Sequence, residues 1–316
     1  MTARFTVLAS GSSGNAALLE VGGFGLLIDC GIHSRFLSAR LATIGRTWDH
    51  VHAAVLTHTH GDHWKDTCLA DFRSRKVPLF AHPMHLNHLA TVAPSFGPLR
   101  AAGYTRPYAD GEPVTIAPGL TAKPVWVSHD SDPTFAFRFD FADGGAGPAW
   151  SVGYASDLGV ASAELVAAFT GVDVLAVEYN HCEKMERAST RPAFLVQRVL
   201  GDEGHLSNRQ AADFTRAVAA RSGPGFPSHV VQLHLSRDCN HPFLAETAGR
   251  NALADLNPSA VVLTARQDTP ARSIELARRP DAAARGAGRA DAPVVVPFPA
   301  ARPGPPQPIL PGFEVA

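Results

Sequence analysis

The stretch His58-Thr59-His60-Gly61-Asp62-His63 sets three imidazoles and a carboxylate within six residues. It follows Ala53-Ala54-Val55-Leu56, an apolar run that reads as a strand emptying into a loop. A solvated polar loop has no structural need of so many donors, whereas imidazole nitrogen and carboxylate oxygen together suit Zn²⁺, Mn²⁺, Fe²⁺ or Co²⁺. Four donors so close in sequence cannot all reach one ion comfortably. The spacing therefore points to two ions, with His58 and His60 on one and Asp62 and His63 on the other.

Outward from this loop, residues 5–9, 17–21, 25–29 and 53–57 read as strands and Ser34 to Ile44 as a helix. Gly11 and Gly14 permit a tight bend after the first strand. Further on, Val114 to Ile116, Thr121 to Val127, Phe135 to Phe141 and Trp150 to Tyr154 concentrate strand formers, with Asp143-Gly144-Gly145 as a hairpin turn between the last two. Ser162 to Phe169 is a short helix and Val172 to Val177 a buried strand. Ser207 with Gln210 three residues later forms a capping box that opens a helix through Ala220. Val230 to Leu235 is strand again, and Pro242 to Leu256 a helix with a favourable proline start. Two runs of strands with helices outside them predict an α/β fold, an αββα sandwich of two mixed sheets, whose strand ends carry the candidate donors.

The 58–63 run resembles the HxHxDH signature of the metallo-β-lactamase superfamily of hydrolases. Ser10-Gly11-Ser12-Ser13-Gly14-Asn15 and Leu26-Leu27-Ile28-Asp29-Cys30-Gly31 look like that fold's opening. Together with Val127-Ser128-His129-Asp130, Ala155-Ser156-Asp157-Leu158-Gly159, Glu178-Tyr179-Asn180-His181, Gly204-His205-Leu206-Ser207-Asn208 and Leu233-His234-Leu235-Ser236, they resemble the bacterial YycJ/WalJ-like group of DNA-processing exonucleases, from about Phe5 to Gln267. The resemblance implies seven ligands. His129 joins His58 and His60 on the first ion, His234 joins Asp62 and His63 on the second, and Asp157 bridges the two, its two oxygens and negative charge offsetting the repulsion between cations. The implied cofactor is a pair of divalent ions, Zn or Mn, with Fe as a further option.

His205 resembles the histidine of phosphodiesterase branches that contacts the scissile phosphate, so Asp62 and His205 stand as the catalytic candidates, with Asn208 in the same phosphate-facing segment. Asp29 looks like the family's buried acid that braces the metal loop, and His181 is placed behind Asp157 or a ligating histidine. Ser12, Ser13 and Asn15, in a glycine-bracketed loop, are candidates for an anion. Arg237 and Asn240 follow His234 closely enough to reach a phosphate. His82, His85 and His88 share one helix face without an accompanying acid, which predicts a substrate rim or a surface face.

A chain of 316 residues with 45% hydrophobic content and formal net charge −1 is compatible with one large domain. Near-zero charge gives no global steering toward nucleic acid, so attraction to phosphate has to be local. No stretch approaches the roughly 20 apolar residues that span a bilayer, and no apolar N-terminal segment is long enough for a secretory signal. A cytoplasmic location without membrane contact is the expectation. Cys30, Cys68, Cys182 and Cys239 are widely separated, which fits reduced thiols. Composition divides the chain near residue 280 into a hydrolase domain, 1–280, and a Pro/Ala/Arg/Gly-rich tail, 281–316, expected to be flexible or partly docked. The leading reading is a metal-dependent phosphodiesterase, a 5′ to 3′ exonuclease on single-stranded DNA that uses a hydroxide activated by two metals. The alternative is a small-molecule metallohydrolase acting on a cyclic or nucleotide phosphodiester or a lactone. The nuclease variant built on a β-CASP insertion is disfavoured, since only 47 residues separate Asp157 from His205.

Overall fold

A computed structural model describes residues 3–131, 133–142 and 148–276. The Asp143-Gly144-Gly145 turn and the tail from Asp281 lie outside the described residues. The strands in chain order are β1 (Ala3–Ala9), β2 (Ala16–Val21), β3 (Phe24–Ile28), β4 (Ala53–Val55), β5 (Leu79–Ala81), β6 (Thr105–Pro107), β7 (Val114–Ala117), β8 (Leu120–Val127), β9 (Thr134–Phe141), β10 (Trp150–Ala155), β11 (Val174–Glu178), β12 (His229–Leu233), β13 (Val261–Thr264) and β14 (Ile274–Leu276). The helices are α1 (Ser34–Thr43), α2 (Asp66–Arg75), α3 (Pro83–Val92), α4 (Phe96–Ala101), α5 (Ala163–Ala168), α6 (Glu183–Arg187), α7 (Ala193–Leu200), α8 (Asn208–Ser222) and α9 (Pro242–Leu253).

Among the described residues the strands form two seven-stranded sheets, ordered β14-β1-β2-β3-β4-β5-β6 and β13-β12-β11-β10-β9-β8-β7. Both sheets are mixed. β3 to β6 run parallel in the first and β10 to β13 in the second, while the remaining neighbours are antiparallel. Strands buried on both faces must be apolar along their whole length, and β10 and β11 are buried at every position.

Three apolar clusters define four layers. Phe5, Phe137, Phe139, Trp150 and Tyr154 pack between the sheets; Leu37, Leu41, Phe72, Leu89 and Phe96 join the first sheet to α1–α4; Leu165, Phe169, Phe214, Val218 and Leu253 join the second to α5, α8 and α9. This is the predicted αββα sandwich. The capping box at Ser207 and Gln210 forms as read, each side chain taking the other's backbone N–H. β14 crosses back to pair with β1, so the last described strand closes the edge of the first sheet. Among the described residues no helix is long and apolar enough to cross a membrane, and all four cysteines are free.

Candidate metal centre

The loop after β4 is shaped by the strand beside it. Asp29, just past β3, adopts φ 58, a region that side chains usually avoid. Its buried carboxylate accepts the Thr57 backbone N–H at 2.9 Å and the Thr57 hydroxyl at 2.9 Å, and lies 2.8 Å from His63 Nδ1. That last contact leaves His63 Nε2 to face the centre. Gly31 comes so near the loop that a Cβ there would sit 1.6 Å from the Asp62 carbonyl oxygen, so only glycine fits. Asn15 ties this approach together: its backbone N–H donates to Asp62 O at 2.8 Å, its carbonyl accepts from Gly31 N at 2.8 Å, and its amide nitrogen lies 3.0 Å from His63 Nε2.

The opposite wall comes from the second sheet. β10, β11 and β12 are parallel and in register, Ala155 opposite Val177 and Glu178 opposite Leu233, so their C-terminal ends finish side by side. Asp157 and His234 leave those ends at φ 47 and φ 53, strained positions of the sort that cluster at functional sites. His129, past the end of β8, is held by the Gly204 carbonyl 3.0 Å from its Nδ1, with Nε2 3.2 Å from His60 Nδ1. His205 precedes α8, its Nδ1 2.7 Å from Glu178 Oε1 and its ring stacked 5.2 Å from that of His234.

Donor atoms within 4.8 Å of one another group as His58 with His60 and His129, and as Asp62 with His63 and His234. Asp157 belongs with both sides, joining His58 and His63 in one group and Glu178, His205 and His234 in another. Its oxygens lie 2.9 Å from His63 Nε2 and 3.3 Å from His234 Nε2.

Burial pushes His58, His60 and His129 below the ordinary imidazole value, which keeps them neutral donors. His63 and His234 go the other way. Burial alone would lower both, but the charges of Asp157 and Asp29 raise His63 well above its usual range, and Asp157, with hydrogen bonds to Asp62 and Glu178, lifts His234 to about 10. Burial opposes ionisation of Glu178, yet the charge and hydrogen bond of His205 hold it at about 2. The centre is thus a concentration of buried negative charge met by imidazolium protons. A divalent cation answers the same charge.

The residues fit such cations on a second count. His58 Nε2 is buried and lacks a hydrogen-bond partner among the described residues. Leaving a buried polar atom unpaired costs about 1–3 kcal/mol, and coordination removes that cost. A set of imidazoles and carboxylates suits Zn²⁺ or Mn²⁺.

The structure revises several sequence expectations. His181 is fully buried with neither ring nitrogen partnered among the described residues, so no hydrogen bond links it to Asp157 or to a candidate ligand. Asn208 and Asn240 bond to each other at 2.8 Å, and Asn240 also donates to the Tyr179 and Asn180 carbonyls; both amides are committed to the framework rather than offered to substrate. Asn15 is buried in the metal loop instead of facing an anion. Arg237 pairs with exposed Asp268 at 2.8 Å, and the Ser13 N–H is taken by Gln267. His82 caps α3 and His85 is buried against the Pro133 carbonyl, so that face packs inward and only His88 of the three is exposed.

Ser12 lines a cleft of about 400 Å³ with Asn180, Arg191, Arg198, His205 and Ser236. Three residues here carry no role in the sequence reading. Glu178 supports His205 and also accepts the Leu158 and Leu206 N–H groups; Asn180 holds His234, its Nδ2 3.1 Å from Nδ1; Asp130 Oδ1 lies 3.4 Å from His129 Nε2 and 3.5 Å from His60 Nε2. A carboxylate closing an apolar strand was the available signal for Glu178. Asp130 and Asn180 offered none beyond adjacency.

The family model described as the beta-lactamase superfamily domain matches residues 25–229. Exodeoxyribonuclease WalJ of Streptococcus pneumoniae serotype 2 (strain D39 / NCTC 7466) is 28% identical over 258 residues, covering 79% of this chain and 88% of its own. Exodeoxyribonuclease YycJ of Bacillus anthracis is 26% identical over 259 residues, covering 81% and 90%. The crystal structure of the metallo-beta-lactamase fold protein YhfI from Bacillus subtilis superimposes with TM-score 0.60 at 16% identity, over 87% of this chain and all of that one. A fold shared at that distance, a matching family model and two facing groups of donors agree on one conclusion: the chain is a binuclear metal-dependent hydrolase and belongs to the metallo-β-lactamase superfamily.

Proposed function

We propose that the chain is a phosphodiesterase, a 5′ to 3′ exonuclease on single-stranded DNA. The observation that carries the reading is the pairing of His205 with Glu178. Among the described residues His205 Nε2 has no protein hydrogen-bond partner, the side chain is 18% exposed, and the residue lines the cleft that carries Arg191 and Arg198. A buried carboxylate on Nδ1 fixes the ring and stabilises its charged form, so Nε2–H is available to a phosphoryl oxygen or to the departing oxygen. The two relatives aligned along nearly nine-tenths or more of their own length are named exodeoxyribonucleases, which supports nucleic acid as the substrate.

In this reading His58, His60 and His129 hold one ion, Asp62, His63 and His234 the other, and Asp157 both. Two bound divalent cations supply Lewis acidity and lower the pKa of water toward neutrality. The chain supplies the rest. Asp29 and Asn15 fix the loop, Glu178 aims His205, and Ser12 lines the cleft beside His205.

His205→Ala tests the assignment. Metal content should stay at the wild-type value while turnover of an oligonucleotide falls about 10²–10³-fold, the scale of a lost oxyanion donor. The rate on bis(p-nitrophenyl) phosphate should fall less, because its leaving group needs little protonation. A panel of 5′-phosphorylated single strands, duplexes, RNA, cyclic nucleotides and a lactone, each with Mn²⁺ and Zn²⁺, tests the substrate. Turnover confined to the lactone would overturn the proposal.

A further inference from the structure

Phe194 is 72% exposed, more than any other large hydrophobic side chain among the described residues. A single exposed phenylalanine is ordinary; its position is what argues. It begins a turn of α7 in which Leu195, Arg198 and Val199 line the cleft beside His205. At about 100° per residue, Phe194 lies about 40° around the helix from Arg198 and about 6 Å along it. The aromatic ring and the guanidinium thus share one exposed edge of α7, and Arg198 on that edge lines the cleft.

The helix is tied to the centre twice: the Val199 carbonyl accepts the His205 backbone N–H at 3.0 Å, and a carboxylate reaches from Arg198 to the candidate ligands. Arg198 donates through Nε to Asp130 Oδ2, and Asp130 Oδ1 lies 3.4 Å from His129 Nε2 and 3.5 Å from His60 Nε2. Among the described residues this is the only hydrogen bond of the Arg198 guanidinium, whose side chain is 53% exposed. Arg191, by contrast, spends its donors on Glu186, Ser236 and Asp238. One cation of the cleft is therefore built into the framework and the other is partly free.

We propose that α7 is the wall that holds the substrate strand, with Phe194 stacking on a nucleobase and Arg198 meeting an adjacent phosphate. The inference rests on the nuclease reading above. Stacking on an aromatic face tolerates every base, because each has a π-surface. It also requires an unpaired base, since a duplex buries its base faces within its own stack. Such a platform would favour single strands without any base-specific contact.

Phe194→Ala should raise KM for a single-stranded oligonucleotide by about tenfold to a hundredfold, the range for one lost base–aromatic stack, with kcat changed much less. Phe194→Trp should restore KM. On a strand whose terminal nucleotides are abasic, wild type and Phe194→Ala should give the same KM, since the partner of the ring is gone. Arg198→Gln should flatten the dependence of log KM on log salt by about 0.7, the share of one phosphate on a single strand. Equal KM for wild type and Phe194→Ala on the intact strand overturns the proposal, as does an equal loss on the abasic strand, which would place the ring against protein. Failure of the wild-type chain to turn over any oligonucleotide removes the nuclease reading itself, and this inference with it.

Discussion

The two walls of the centre are built by opposite means. The loop after β4 collects His58, His60, Asp62 and His63 from one continuous turn, whereas the second sheet contributes one residue from each of several strand ends: His129, Asp157, Glu178 and His234. In the first wall, local backbone geometry sets the donor positions, and Gly31, Asn15 and Asp29 hold that turn in place. In the second, sheet register sets them. Slipping a strand by one residue would turn its side chains to the opposite face, and would carry Glu178 or His234 out of the centre. One wall can be damaged residue by residue; the other depends on the alignment of three parallel strands.

Asp157→Ala gives the sharpest comparison, because this residue belongs to donor groups on both sides. It should lose both ions and all detectable turnover, while Asp62→Ala, at the edge of one group, should lose turnover yet keep a larger fraction of metal. Metal per chain, measured beside phosphodiester hydrolysis, separates them. If Asp157→Ala still binds two ions per folded chain, the two walls do not share a carboxylate.

Glu178→Gln comes next. Carboxylates behind ligating or catalytic histidines typically matter 10–100-fold, so a rate loss of about that size is expected, and the amide should still accept from the Leu158 and Leu206 N–H groups. Replacing Glu178 also withdraws the charge that supports His205. The Gln variant should therefore resemble His205→Ala in metal content and in its milder loss on the activated ester. A collapse in melting temperature instead would show that Glu178 serves the sheet more than the site.

A third expected effect is a slope with pH, and it touches a single proton. His234, lifted to about 10 by Asp157, Asp62 and Glu178, holds a proton in the metal-free chain throughout pH 6–9. A ligand must surrender that proton to bind metal, so affinity should rise about tenfold per pH unit for each proton released, and fall again on acidification. Titration calorimetry with Zn²⁺ in buffers of different ionisation enthalpy reads the proton count directly. Affinity independent of pH across that window would mean that His234 does not give up a proton on loading.

How much was legible beforehand follows from the same contrast. The 58–63 run, the flanking strands and the capping box at Ser207 and Gln210 are local patterns, and local patterns are readable. The short strands β5, β6 and β13, the helices α2, α4, α6 and α7, and the return of β14 to β1 carried too little periodicity to detect. In the case of β14 the pairing spans almost the whole chain. The substrate candidates fared differently because exposure decides them. Asn208 and Asn240 sit in the expected segments but turn their amides toward each other, and Phe194 and Arg198 drew no notice in a stretch with no recognisable motif.

By itself, the amino-acid sequence determined the superfamily, the sandwich of two mixed sheets and the chemical character of the centre, because a dense cluster of donors and alternating apolar runs leave a signature in consecutive residues. Only the tertiary structure decided that Glu178 supports His205, that Asp130 links α7 to His60 and His129, and which polar side chains of the predicted substrate set remain free. Those relations join residues tens of positions apart across sheet ends, where proximity is created by strand register and helix packing and is written in no local stretch of the chain.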